Sequence, residues 1–205
     1  MPRSNGPLMV AIEGPDGVGK GAVIEHLLER SVPGLMLAHF KHDARRAHTE
    51  DGWCMANTFA SQRAAYARVV VERRASALID VILCDRWFWS TRVEALTRGV
   101  PDATQNAMLA LVAAERAEYD GRVARGELRP MRTILLDAPT EVLEARTTQR
   151  DGKVHPNLAA IRSEYLSLAK NLGWPVVSTN CPIEEAAAKV TKIIDEWVSE
   201  ESDNG

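Results

Sequence analysis

Five short apolar runs punctuate the chain, with stretches of helical spacing between them. Leu8-Met9-Val10-Ala11-Ile12, Leu35-Met36-Leu37-Ala38, Ile79-Asp80-Val81-Ile82-Leu83-Cys84, Thr133-Ile134-Leu135-Leu136-Asp137 and Pro175-Val176-Val177-Ser178-Thr179 each read as a strand. Most are apolar almost throughout rather than alternating, as strands covered on both faces are. Helices are predicted after Ala22, over 55–78 (Phe59, Arg63, Tyr66 and Val70 recur every three or four residues), and from Pro101 to Tyr119. Further helices are predicted from Glu141, over 157–172, and from Pro182, the last with Ile183, Ala187, Val190, Ile194 and Trp197 on one face. The stretch 87–99 is aromatic and then polar and reads as partly helical. Residues 40–48 lack a period and read as a loop, 120–129 as a polar link, and the acidic end from Ser199 as frayed. Strands alternating with amphipathic helices build βαβ units, so the expected fold is α/β, a five-stranded parallel sheet with helices on both faces. Such sheets collect ligands at the carboxyl ends of their strands, where Gly14, Lys41, Asp85 and Ala138 fall.

The first of those ends carries the strongest chemical signal. Gly14-Pro15-Asp16-Gly17-Val18-Gly19-Lys20-Gly21 lies between a predicted strand and a predicted helix, and fits G-x-x-x-x-G-K. Glycines let the backbone curl until successive N–H groups point at one anion. The helix N-terminus adds partial positive charge, and Lys20 a full one. The position after the lysine ordinarily bears a hydroxyl that binds Mg²⁺; here it is Gly21.

Other strand ends add polar groups. Asp85-Arg86 closes the third strand, where a carboxylate can hold Mg²⁺ and a guanidinium can fork onto a phosphate. The same pair also reads as a helix-capping Asp beside a surface Arg. Phe59 and Arg63 share a helical face, and can stack on and hydrogen-bond a base, or pack as core with a snorkelling arginine. Arg146, Arg150 and Lys153 fall in a basic, glycine-containing segment, 146–156. It reads as a lid over phosphates or as a solvated helix end.

Bulk properties narrow the class. The 205 residues suit a single domain (1–205), and 45% hydrophobic content suffices for a core. A net charge of −3 gives no basic field for a nucleic-acid backbone. No apolar run spans a membrane and residues 1–7 lack a signal-peptide core, so a cytoplasmic location is expected. Cys54, Cys84 and Cys181 form no metal pattern and read as thiols in a reducing compartment.

Taken in order, Ile12-Glu13-Gly14-Pro15-Asp16-Gly17-Val18-Gly19-Lys20, Phe59-Ala60-Ser61-Gln62-Arg63-Ala64, Cys84-Asp85-Arg86-Trp87 and Leu135-Leu136-Asp137-Ala138-Pro139 resemble the markers of thymidylate kinases. These are P-loop nucleoside monophosphate kinases that phosphorylate dTMP with ATP. The resemblance runs from Val10 to Trp197. It implies ATP on Gly14, Pro15, Asp16, Gly17, Val18, Gly19, Lys20 and Gly21, and Mg²⁺ on Asp85 and Asp16. It implies an acceptor nucleotide on Asp16, Phe59, Arg63, Arg86 and Thr91. Lys20, Arg86, Arg146 and Arg150 would be catalytic, the last two as arginines of the 146–156 lid, and a homodimer follows by analogy. Three departures stand out: Gly21 in place of a hydroxyl residue, Glu94 where the family has a tyrosine, and Phe40-Lys41-His42-Asp43 where it has Arg-Glu-Pro-Gly-Gly. The expected activity is therefore phosphorylation of dTMP or a modified pyrimidine deoxynucleotide such as hydroxymethyl-dUMP. Two alternatives stay open: a kinase of a nucleoside or of a base hydroxyl in DNA, and a nucleotide-binding protein without turnover.

Overall fold

The computed structural model describes residues 7–30, 37–41, 52–72, 79–153 and 156–202. Its elements follow the order β1 (Leu8–Glu13), α1 (Lys20–Glu29), β2 (Leu37–Lys41), α2 (Gly52–Glu72), β3 (Val81–Asp85), α3 (Phe88–Thr97) and α4 (Asp102–Ala124). They continue with β4 (Arg132–Asp137), α5 (Thr140–Asp151), α6 (Leu158–Leu172), β5 (Val176–Ser178) and α7 (Ile183–Ser202). The five strands form one sheet in the order β2-β3-β1-β4-β5, with every pairing parallel.

Alternate residues of the central strand serve opposite faces. Leu8, Val10 and Ile12 pack with Val23, Ile24 and Leu27 of α1 and Ala187, Val190 and Ile194 of α7. Met9 and Ala11 pack with Ala67 and Val70 of α2 and Val112 and Tyr119 of α4. Both faces are covered, which explains the near-continuous apolar runs. The chain leaves β1 toward β2 on one side of the sheet and leaves β3 toward β4 on the other. The crevice at the carboxyl ends of β1 and β3 is therefore the topological switch point where such sheets bind ligands.

Three segments differ from the sequence expectation. Phe40 and Lys41, read as loop, complete β2, because Phe40 pairs with Cys84 and Lys41 with Asp85. Phe40 is also buried against Tyr66 and Trp87, at ring-centroid distances of 4.4 and 5.3 Å. Residues 31–36, 42–48 and 73–78, parts of the predicted second strand, loop and long helix, lie outside the described residues. Helix α4 runs on to Ala124 through the expected polar link, where Arg122 pairs with Glu118 at 2.9 Å and Tyr119 donates to the Arg129 carbonyl at 2.8 Å. Helix α7 continues to Ser202 where fraying was expected. Val198 is buried there, and Arg132 lies 5.5 Å from the Trp197 ring and 3.4 Å from Glu200, which fastens the last turns to β4. None of the described helices is long and apolar enough to cross a membrane.

Candidate active site

The loop from Gly14 to Gly19 joins β1 to α1, and its shape depends on glycine at two points. Gly14 has φ +146°, and a Cβ there would lie 2.4 Å from the Leu136 carbonyl oxygen. Gly17 has φ +80°, and a Cβ would lie 2.9 Å from the Leu143 carbonyl oxygen. The loop therefore presses against β4 and α5 with no room for a side chain. Helix α1 begins with neither a side-chain cap nor an acidic residue in its first turn, so its positive end is not neutralised from within. Lys20 opens this helix. Its buried Nζ donates to the carbonyls of Gly14 and Pro15 at 2.8 and 3.0 Å. Burial, reinforced by the charge of Arg86, pushes the ammonium down to about 7. A polyanion in the loop would restore its charge.

Arg86 follows β3 in the left-handed region, at φ +68°. Its N–H donates to the Ile12 carbonyl at 3.1 Å. Its guanidinium pairs with Asp16 across the crevice, and Nη1 donates to Tyr165 Oη at 3.4 Å. Beneath it, Glu13 is fully buried, its carboxylate accepting from the Trp87 N–H at 2.7 Å and the Tyr165 hydroxyl at 3.2 Å. Desolvation pushes the Glu13 carboxyl up to about 7 against those hydrogen bonds and the nearby cations.

A cavity of about 560 Å³ opens above this cluster. Asp16, Phe59, Asp85, Arg86 and Thr91 all line it, so five of the expected site residues share one wall system. Arg63 sits behind that wall. It is 1% exposed, held by two hydrogen bonds to Glu115 at 2.8 and 2.6 Å, and its Nη2 lies 3.4 Å from Thr91 Oγ1. Glu94 also lines the cavity, 3.9 Å from Arg98.

Arg146 and Arg150 belong to α5 rather than to a link between helices. Arg146 turns toward β5, donating to the Thr179 carbonyl at 2.8 Å and lying 3.3 Å from its hydroxyl. Arg150 is exposed and grips Asp151, itself a lining residue of the cavity, at 2.8 and 2.6 Å. Of the expected 146–156 lid, residues 146–151 are helical and 154–155 lie outside the described residues.

Among the described residues, no group of three or more His, Cys, Asp or Glu side chains gathers into a metal cage. Asp16 and Asp85 supply two carboxylates to one cavity, the donor set Mg²⁺ takes when phosphates and waters complete its shell. The residues present thus fit that ion. Gly21 adds no donor, and a Cβ there would meet nothing within 4 Å.

Two supporting residues escaped sequence reasoning. Tyr165 and Glu115 fall within the predicted helices 157–172 and 101–119, where spacing says only that a residue turns inward. A hydroxyl or carboxylate on an otherwise apolar stripe needs a polar partner once buried, and that was the available signal.

No family model matches the chain. Curated proteins do, two of them over nearly their whole length. One, named a probable thymidylate kinase, is from Pyrobaculum aerophilum; it is 29% identical over 199 residues, covering 90% of this chain and 95% of the relative. The other, also named a probable thymidylate kinase, is from Metallosphaera sedula; it is 26% identical over 206 residues, covering 96% of this chain and 97% of the relative. Over nearly its whole length the chain is similar to proteins named probable thymidylate kinases. The parallel α/β sheet, the glycine loop before α1 and the Asp85-Arg86 strand end agree with that similarity.

Proposed function

We propose that this protein is a thymidylate kinase-like enzyme that transfers the γ-phosphoryl group of ATP to a pyrimidine deoxynucleoside monophosphate, dTMP in the first instance. The observation that carries the reading is the meeting of Lys20, Asp16 and Arg86 at the switch point, with a cavity of about 560 Å³ beyond them lined by Phe59 and Thr91. The donor's phosphates fit the loop amides and Lys20. The acceptor's phosphate fits Arg86, with its base toward Phe59 and Thr91; the buried Arg63 backs Thr91 rather than meeting the base.

The acceptor oxygen attacks the γ-phosphorus; a new P–O bond forms, the bond to the β-phosphate's bridging oxygen breaks, and ADP leaves. A phosphate monoester oxygen is already anionic, so no strong base is required. The rate comes from alignment and from neutralising charge with Lys20 and Arg86. Asp85 and Asp16 would hold Mg²⁺, which would supply charge neutralisation to the donor's phosphates. Arg150, beside Asp151 at the cavity mouth, adds a cation that can exchange its carboxylate partner for phosphate. Arg146 serves the donor from the Thr179 side. Cys84 and Cys181 are free thiols, consistent with a reducing cytoplasm.

A hydroxyl acceptor would need a carboxylate to take its proton. Glu13 is fully buried with both oxygens engaged, which argues against it in that role. Glu94 offers the cavity a hydrogen-bond acceptor, and this supports a hydroxyl-bearing pyrimidine as the narrower form of the reading. The test is ADP release from ATP and Mg²⁺ with dTMP, dUMP, hydroxymethyl-dUMP, thymidine or no acceptor. ADP release with one or more monophosphates and none with thymidine is expected. ATP binding without release in every arm would replace the reading with a non-catalytic one.

A further inference from the structure

We infer that Glu13 and Tyr165 form a buried positioning pair that fixes Arg86 at both ends for the acceptor's phosphate. The inference rests on the assignment of Arg86 to that phosphate. It starts from the Arg86 backbone. A φ of +68° is uncommon for a side chain of this size and persists only where its surroundings over-determine it. Two successive amides do so here. The Arg86 N–H donates to the Ile12 carbonyl at 3.1 Å, and the Trp87 N–H donates to Glu13 Oε1 at 2.7 Å. The carboxylate of Glu13 thus anchors the turn from which Arg86 projects.

The same carboxylate reaches the other end of the side chain through one intermediary. Glu13 Oε2 accepts the Tyr165 hydroxyl proton at 3.2 Å, which leaves the phenolic oxygen's lone pair directed to Arg86 Nη1 at 3.4 Å. Tyr165 is 1% exposed, packed beside Leu168, Ala169 and Leu135, so its ring has little freedom. Asp16 holds the remaining guanidinium edge on the loop side. Two elements therefore converge on one guanidinium, α6 through Tyr165 and the phosphate loop through Asp16, with Glu13 of β1 behind Tyr165. An anion arriving in the cavity can displace Asp16, which is 33% exposed, but not the buried pair. The pair therefore keeps the fork aimed while its loop-side partner is exchanged for phosphate. Such second-layer support is what holds a binding group within tenths of an ångström of productive geometry.

The experiment compares the unmodified protein with Tyr165→Phe, Glu13→Gln and Arg86→Ala, using dTMP and ATP with Mg²⁺. Tyr165→Phe deletes one oxygen from a packed ring, and Glu13→Gln keeps volume and an oxygen for the Trp87 amide. The expected result is a rise of at least fivefold in the KM for dTMP in each of the first two variants, with the KM for ATP within twofold. Arg86→Ala raises the KM for dTMP further. Circular dichroism identifies folded variants, and either folded variant suffices. A folded variant whose KM for dTMP is unchanged while Arg86→Ala raises it overturns the positioning role alone. Equal rises in both KM values also overturn it, since a merely structural role loosens both sites. An unchanged KM in Arg86→Ala, or no turnover of dTMP by the unmodified protein, overturns the acceptor assignment and this inference with it.

Discussion

Arg63 and Glu115 face each other across α2 and α4 in a two-pronged pair, Nε to Oε1 at 2.8 Å and Nη2 to Oε2 at 2.6 Å. The guanidinium is 1% exposed and the carboxylate 14%, so little water screens them. Stripping a buried cation of its carboxylate typically costs about 3–5 kcal/mol, and the partial exposure of Glu115 places this case near the lower end. Glu115→Ala is expected to lower stability by about 3 kcal/mol. Urea denaturation checks this as a lower midpoint at constant slope.

Two glycines of the phosphate loop region respond in opposite ways. At Gly14 a Cβ would lie 2.4 Å from a backbone oxygen of β4 in a left-handed conformation, so Gly14→Ala must displace the loop. Loss of ATP uptake in calorimetry is the expected result. At Gly21 there is open space within a helix, so Gly21→Ser fits without strain and replaces a poor helix former. That variant should keep or gain melting temperature and reach half-maximal turnover at lower Mg²⁺, because a hydroxyl is returned next to the lysine. Titrating Mg²⁺ against rate for both proteins decides it.

Lys20 separates function from stability. Its ammonium is buried among loop carbonyls and pushed down to about 7 by that burial and by Arg86. Removing it deletes the cation proposed for the donor's phosphates but relieves the fold of a desolvated charge. Lys20→Ala should reduce turnover by at least about tenfold, with a melting temperature no lower than that of the unmodified protein. A rate loss matched by a collapse in melting temperature would contradict the assignment.

Glu13 gives the pH dependence its sign. Burial lifts its carboxyl from 4.5 to about 7, so across that window the folded state holds a proton the unfolded state has released. The contribution is fully present below pH 4.5 and is lost as pH rises through about 7. At ~1.4 kcal/mol per pH unit the window amounts to about 3 kcal/mol. Glu13→Gln should flatten this part of the stability profile, measured by denaturant melts from pH 4.5 to 7.5.

The fold was legible because its strands are buried on both sides. Leu8 to Ile12 and Ile134 to Leu136 leave no period to misread, and the glycine loop punctuates strand and helix. What escaped was set by pairing and tertiary support. Phe40 and Lys41 look like loop until β3 offers them partners. The last turns of α7 look frayed until Arg132 reaches Trp197 and Glu200. In the site, Lys20 announces itself at the close of the glycine loop, and Asp85 and Arg86 at a strand end. Glu115 and Tyr165 do not, because each sits on a helix face whose spacing says only that it is turned inward. Their partners, Arg63 and Arg86, come from distant parts of the chain, 52 and 79 residues away.

The central claim is transfer of one phosphoryl group between two nucleotides held at the carboxyl ends of β1 and β3. Phosphorus NMR of the protein with ATP, Mg²⁺ and dTMP measures it directly. The account predicts the dTMP monoester resonance giving way to the paired resonances of a nucleoside diphosphate while ATP becomes ADP in equal amount. Persistence of the monoester signal with ATP consumed to free inorganic phosphate, or with no ATP consumed at all, would contradict it.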